Sequence, residues 1–346
     1  MKALLYEGPR EMRIREIAPP SITEDEVVIQ VAFSGICGSE LSGYLGHNAL
    51  RKPPLVFGHE FSGTIVEAGA NASKVFGLQP GQRVTANPLV TCGHCGYCLS
   101  GRQQLCRGRK LLSAALPGSN AELVKIPAAF VHPLPDHLTL QQGALVEPIA
   151  CGVRVAELAS PRPGDKAVIF GMGPIGLFVL QALKVYGVKE IYAVDLHAER
   201  LGMAEALGAV PLSPRKDEVV AEVLKRTGGG ADIAVDAVGA SLTRSQCMEV
   251  TVPGGRIIYT GLHEAESVLP VNTMIRSEFH VAGSFAYSAV NFQTALNWLA
   301  EGRIGLTDGV VEAPLEEGAE WYDKLLSNPG KVAKVLLVPY SSSVRS

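Results

Sequence analysis

The sequence predicts an α/β protein of two domains: β-rich up to about residue 150, then a parallel sheet with interleaved helices. Three observations carry this reading. A chain of 346 residues exceeds the size at which one hydrophobic core keeps growing. Its first half holds short β-type runs between Gly and Pro clusters. From Asp165 onward strand, glycine turn, helix and strand alternate, the rhythm of a parallel sheet.

In the first half, Val27 to Phe33 and Phe61 to Glu67 read as strands. The second half runs through a strand Lys166 to Phe170, a helix Pro174 to Tyr186 and strands Glu190 to Val194 and Ala231 to Asp236. Next come a strand Arg256 to Thr260, introduced by the turn Pro253-Gly254-Gly255, and a strand His280 to Phe285. Helical segments Phe292 to Ala300 and Glu320 to Leu326, a closing strand Lys334 to Pro339 and a frayed polar tail Tyr340 to Ser346 end the chain. Periodicity alone does not assign these last elements to a domain.

Apolar residues make up 47% and charged residues 19% of the chain, the balance of a globular enzyme, and the formal net charge of −3 gives no general attraction to nucleic acid or acidic membranes. Acidic Glu7 arrives too early for a secretory signal. The longest apolar stretch, Ala167 to Leu183, is broken by Gly171, Gly173, Pro174 and Gly176 and is too short to span a bilayer. Seven cysteines, four of them crowded together, argue for metal binding in a reducing cytoplasm and against a disulfide framework.

That cluster is Cys92, Cys95, Cys98 and Cys106, a Cys-x2-Cys-x2-Cys-x7-Cys loop with Gly93, Gly96 and Gly101 to permit tight turns. Four thiolates at this spacing can surround Zn²⁺ at about 2.3 Å, and a closed shell leaves no position for substrate, so this zinc is structural. An iron–sulfur cluster is the alternative ligand for the same loop. His94 lies inside it and is read as exposed.

Gly171, Gly173 and Gly176 follow a strand and open a helix, the context in which Gly-x-Gly-x-x-Gly binds a dinucleotide. The first glycine permits the turn, the second lets a pyrophosphate approach the backbone, and the third lets helix pack on strand. Pro174 and Ile175 belong to the same cofactor-facing turn. Asp195, nineteen residues beyond Gly176, ends the next strand, where a carboxylate accepts from ribose hydroxyls and repels a 2′-phosphate. NAD is therefore expected in preference to NADP, with Arg200 as a second ribose contact.

Cys37-Gly38-Ser39-Glu40, Gly58-His59-Glu60-x-x-Gly63 with Gly69, Val146-Glu147-Pro148 and Gly330 to Val335, together with the two motifs above, complete a recognisable order. The whole chain resembles the medium-chain zinc-dependent alcohol and polyol dehydrogenase family. The resemblance implies a GroES-like catalytic domain over 1–150, a doubly wound Rossmann NAD-binding domain over 151–286 and a return to the first domain over 287–346. It makes Cys37 and His59 ligands of a catalytic zinc, with Glu60 and Glu147 binding that metal directly or through water. Two zinc ions per chain follow. Glu147, where the ethanol-oxidising branch has cysteine, points to the sorbitol, polyol-phosphate and threonine dehydrogenase branch.

The resemblance further makes Ser39 a proton-relay hydroxyl and Glu40, standing where the family has Asp, the group that orients the zinc-bound imidazole. Ser42 occupies the place of the histidine that ends the relay in many relatives, and His47 reads as a surface residue. Lys334 of the closing strand is expected at the cofactor. Ala286 stands where sorbitol dehydrogenases carry arginine, which turns the expectation away from sorbitol itself. Tyr44, Phe57, Phe285 and Tyr287 are candidates for pocket lining or core packing, and Cys151 and Cys247 for small buried apolar residues.

The implied activity is oxidation of a secondary alcohol, a polyol, a sugar alcohol or its phosphate, by hydride transfer to NAD, in a homodimer or homotetramer. Thiolate, imidazole and carboxylate suit zinc, and three of them leave its fourth position to a small-molecule alcohol. A hydroxy amino acid is an alternative substrate. A regulatory module that binds zinc and NAD without turnover needs only the four-cysteine metal. A zinc-free quinone or enone reductase needs none of Cys37, His59 and Glu147.

Overall fold

The computed structural model describes residues 1–306, 308–327 and 329–340; the tail expected over Tyr340 to Ser346 lies, beyond its first residue, outside them. The chain divides into two compact units. One takes in Met1–Glu147, Ser288–Glu301 and the chain from Gly305, the other Pro148–Tyr287 with Gly302–Ile304.

In the first unit the long strand Glu26–Gly35 is the organising element. It pairs antiparallel with Glu60–Ala68, with Leu123–Pro127 and, through Gly35 opposite Leu336 and Ser34 opposite Leu337, with the closing strand Lys334–Val338. The closing strand in turn runs parallel to Val310–Pro314. Val27, Ile29 and Val31 alternate into a core with Phe61, Ile65, Val84, Val124 and Ile126, each such side chain worth roughly 1.5–3 kcal/mol when removed from water. Leu4, Tyr6, Ile36, Tyr44, Phe57, Tyr322, Val335 and Leu337 form a second core. Two residues expected as possible pocket lining, Tyr44 and Phe57, therefore serve as packing. Within the pairing of Glu26–Gly35 with Glu60–Ala68, Gly63 lies against Gln30, where a Cβ would stand 2.0 Å from the carbonyl oxygen.

The second unit is a six-stranded parallel sheet ordered Val210–Leu212, Glu190–Val194, Lys166–Phe170, Ala231–Asp236, Thr251–Tyr259, His280–Gly283. Numbered by sequence this is the 3-2-1-4-5-6 order of a dinucleotide-binding sheet, whose ligands bind beyond the carboxyl ends of the strands at the reversal of order. Lys166–Phe170 is central, and its unbroken apolar run reflects cover on both faces. The strand expected from Arg256 begins five residues earlier, at Thr251. Pro253-Gly254-Gly255 forms an irregularity inside it, between the pairs Ala231/Thr251 and Ile233/Arg256, because proline supplies no ladder donor and Gly254 adopts a φ of 75°.

Among the described residues no helix is long and apolar enough to cross a membrane. The apolar helix Pro174–Val185 is 12 residues long and belongs to the second unit.

Candidate active site and metal centres

The four cysteines converge. Sγ–Sγ distances are 3.6 Å for Cys95–Cys98, 3.6 Å for Cys92–Cys106 and 3.9 Å for Cys92–Cys98. A tetrahedral shell with metal–sulfur bonds of about 2.3 Å has sulfurs about 3.8 Å apart, so the loop is already shaped for such an ion. Backbone N–H groups of His94 and Cys95 hold the Cys92 thiol down to about 6, whereas burial pushes Cys98 up to about 11. A divalent cation at the centre favours the thiolate of both. His94 is exposed, its ring turned to the carbonyl of Cys92, and takes no part.

The second cluster joins residues far apart in sequence. Ligand atoms of Cys37, His59 and Glu60 lie within 4.8 Å of one another. Cys37 precedes the helix Gly38–Tyr44, and Glu60 opens the strand Glu60–Ala68. His59 follows Gly58, whose φ of 100° and contact with Ser119 and Asn120 exclude a side chain. Glu147, in the first turn of the helix Val146–Ala159, is buried and adds to the field on the Lys334 ammonium, but it stands outside that triangle.

Behind the metal ligands, Glu40 Oε1 lies 2.6 Å from His59 Nδ1 and accepts from Gly58 N at 2.9 Å and Ser113 Oγ at 2.7 Å. The extra methylene of Glu relative to Asp thus does not prevent the imidazole contact. Burial alone would raise the Glu40 carboxyl, yet His59, Arg51 and Ser113 outweigh it and bring it down to about 2. Burial opposes a charged His59, but the Glu40 carboxylate and Cys37 favour it and prevail. The same negative groups also favour a metal cation at the other ring nitrogen, with Glu40 retaining the Nδ1 contact.

Lys334 directs its ammonium to the carbonyl of Ile36 at 3.2 Å and to both oxygens of Glu60 at 2.9 and 2.6 Å. These three contacts match its three donors. Sequence reasoning also missed Arg51. It is buried, its guanidinium lies 5.7 Å from the centre of the Phe57 ring, and Nη2 donates to Ser39 Oγ at 3.1 Å while Ser39 donates to Cys37 Sγ at 3.4 Å. Its Nε has no acceptor among the described residues. Nothing local in the sequence marks an arginine twelve residues from Ser39 as its partner. With Cys37 as the ligating thiolate, the acidic groups Cys37, Glu40, Glu60 and Glu147 exceed the cations Lys334 and Arg51 by two, the charge of one Zn²⁺. Ser42 is partly exposed and His47 exposed.

The three glycines of the turn differ in their surroundings. Gly171 has a φ of 92°, and a Cβ on Gly176 would stand 1.8 Å from the Gly171 carbonyl, whereas one on Gly173 would meet nothing within 4 Å. Gly173 therefore faces open space, as a pyrophosphate requires. Pro174 begins the helix with Gly173 as its N-cap, and Ile175 follows in its first turn. Asp195 accepts from Met172 N at 2.7 Å and His197 N at 2.8 Å, which ties the end of its strand to the turn. Arg200 Nη1 lies 3.9 Å from Asp195, and its buried Nε has no acceptor among the described residues. Both features fit an adenosine ribose. Phe285 is exposed, Tyr287 and Cys247 buried, and Cys151 partly buried.

A dinucleotide-binding sheet, a closed thiolate centre and an open Cys-His-Glu centre together define a zinc-dependent dehydrogenase. Residues 23–136 match the alcohol dehydrogenase GroES-like domain family and 174–301 the zinc-binding dehydrogenase family. The chain is 34% identical to a probable D-xylulose reductase A of Neosartorya fischeri, covering 90% of each chain. It is 34% identical to a sorbitol dehydrogenase of Bombyx mori, covering 97% of each. Among solved structures, 2R,3R-butanediol dehydrogenase from Bacillus subtilis superposes with a TM-score of 0.89 at 33% identity, over 98% of this chain and 99% of that one. The chain belongs to the medium-chain zinc-dependent alcohol and polyol dehydrogenases, oxidoreductases that use zinc and NAD.

Proposed function

We propose that this enzyme oxidises a secondary hydroxyl of a polyol, a sugar alcohol or its phosphate to the ketone. The observation that carries the reading is the convergence of Cys37, His59 and Glu60 within 4.8 Å, beside Ser39 and in a chain that supplies Glu147 instead of a second cysteine. Zinc, when bound, supplies a Lewis acid that lowers the pKa of an alcohol, and NAD supplies the hydride acceptor. Cys37, His59 and one carboxylate would hold the metal, with Glu60 and Glu147 as the two acidic candidates. Ser39 Oγ would receive the substrate proton on a lone pair and release its own hydrogen outward, toward a hydroxyl of the cofactor ribose. The Arg51 guanidinium can only donate, so it occupies one lone pair of Ser39 Oγ and leaves the other to receive a proton. Gly171, Gly173, Pro174, Ile175 and Gly176 form the pyrophosphate cradle, while Asp195 and Arg200 receive the ribose.

Relatives that reduce xylulose or oxidise sorbitol and butanediol support a vicinal diol or longer polyol as substrate. Ala286, in place of arginine, supports one other than sorbitol. The cysteine-rich metal loop supports a reducing cytoplasm. Homodimers or homotetramers are supported by the edge strand His280–Gly283, where Val281 is exposed and the preceding segment exposes Leu262, Val268, Val271 and Ile275. The test is NAD reduction across sugar alcohols, their phosphates and L-threonine, with metal analysis and light scattering. Two zinc ions per chain and turnover of polyols are expected. One zinc and no turnover of any alcohol would overturn the reading.

A further inference from the structure

We infer that Tyr322 and Ser113 are positioning residues of the catalytic metal centre: they clamp the two oxygens of Glu40 and through it fix the ring of His59. The inference rests on the proposed Cys37-His59 zinc centre.

The carboxylate of Glu40 is held from two sides. Oε1 takes the ring of His59 together with Gly58 N and Ser113 Oγ. Oε2 takes the hydroxyl of Tyr322 at 3.0 Å and, at a longer 3.4 Å, Cys37 N. Tyr322 has one hydroxyl hydrogen, and its oxygen already accepts from Asn120 Nδ2 at 3.2 Å, so that hydrogen is committed to Glu40. Asn120 is oriented by Ser34 Oγ, which lies 2.7 Å from its Oδ1 and 2.7 Å from Ser119 Oγ. The phenol ring is fixed between Tyr44 and Phe57, with centroids 5.3 and 6.2 Å away. Glu40, Ser113, Ser119, Asn120, Ser34 and Tyr322 are all 0% exposed. At such depth bulk solvent does not compete for the carboxylate, so the protein donors set its torsion.

Two features separate this arrangement from ordinary core satisfaction. Tyr322 belongs to the helix Gly318–Ser327, and its hydroxyl meets an oxygen that an aspartate, one methylene shorter, has less reach to share between His59 and Tyr322. Ser113 sits at a φ of 69°, in the left-handed region that glycine adopts without strain. A serine kept in that conformation indicates that its hydroxyl is what the position requires. The carboxylate that orients a metal-bound imidazole commonly changes metal affinity by about ten- to a hundredfold, and the groups that fix that carboxylate act on the same quantity.

The experiment follows loss of each zinc from the holoenzyme to a chelator. In wild type two zinc ions leave at distinct rates, identified by the Cys37→Ser protein, which retains the four-thiolate metal. Tyr322→Phe should release the catalytic zinc about tenfold faster and leave the four-thiolate zinc unchanged. Ser113→Gly, which relieves the backbone, should also speed catalytic zinc loss without a lower Tm. In a Glu40→Asp background Tyr322→Phe should add little, since the clamp is already broken. Unchanged catalytic zinc loss in Tyr322→Phe and Ser113→Gly overturns the inference while leaving the active-site reading intact. So does full additivity with Glu40→Asp. A wild-type protein holding one zinc overturns both.

Discussion

The Lys334 ammonium lies 2.6 Å from one carboxylate oxygen of Glu60 and 2.9 Å from the other, and both side chains are nearly withdrawn from solvent. An ion pair at that depth is costly to break from one side, because the remaining charge loses its hydrogen-bonded partner. Lys334→Met should therefore cost about 3–5 kcal/mol of stability, and Glu60→Met added to it should recover most of the loss, read from urea unfolding. NADH affinity should stay close to wild type. A loss of NADH binding without loss of stability would place Lys334 on the cofactor instead.

The two metal centres are separable by substitution. Cys37→Ser should abolish alcohol oxidation and retain one zinc per chain, while Cys98→Ser should remove the other zinc and lower Tm by roughly 10 °C, the shift expected from a loss of about 3 kcal/mol. Metal analysis with thermal unfolding checks both. Full activity of Cys37→Ser would dismiss the ligand set.

The glycines of the cofactor turn should fail in different ways. Gly173→Ala adds a methyl group to open space, so Tm should hold while NADH binding weakens by about tenfold or more. Gly176→Ala drives its methyl into the Gly171 carbonyl, and Tm should fall before any binding question arises. Isothermal titration beside thermal melts separates the outcomes. Equal NADH affinity in Gly173→Ala would count against the pyrophosphate cradle.

Cofactor choice should follow Asp195. Removing a charged hydrogen-bond acceptor costs about 1.5–3 kcal/mol, so Asp195→Ala should narrow the ratio of kcat/KM for NAD over NADP by about ten- to a hundredfold. A wild type that already favours NADP would contradict the role given to the carboxylate.

Acid stability should report Glu40. Its carboxyl is lowered from 4.5 to about 2 in the fold, so its contribution is fully present above the ordinary value and is lost as pH falls through the folded one. The contribution is roughly 3 kcal/mol. The stability difference between wild type and Glu40→Gln should shrink between about pH 5 and pH 2. A constant difference over that range would mean that Glu40 is not ionised in the fold.

Legibility in the sequence tracked distance along the chain. The four cysteines span fifteen positions and the glycine turn six, so local spacing alone disclosed their geometry. Cys37 and His59 needed the order of several motifs at once. Lys334 and Glu60 are 274 residues apart, and Tyr322 and Glu40 282. Those contacts depend on the closing strand joining Glu26–Gly35 and on the helix Gly318–Ser327 packing beside it, neither of which periodicity assigns to a partner. The bulged Pro253-Gly254-Gly255 misled for the opposite reason: its turn chemistry is real, but the ladder continues on both sides.

Because the closing strand carries Lys334, the order of synthesis constrains the order of maturation. The thiolate loop can capture its ion while much of the polypeptide is still being made, whereas the reactive centre lacks the ammonium that pairs with Glu60 until the strand Lys334–Val338 has left the ribosome. Nascent chains halted before that strand should therefore carry one tightly held ion, and the oxidising machinery should appear only once that strand has joined the sheet.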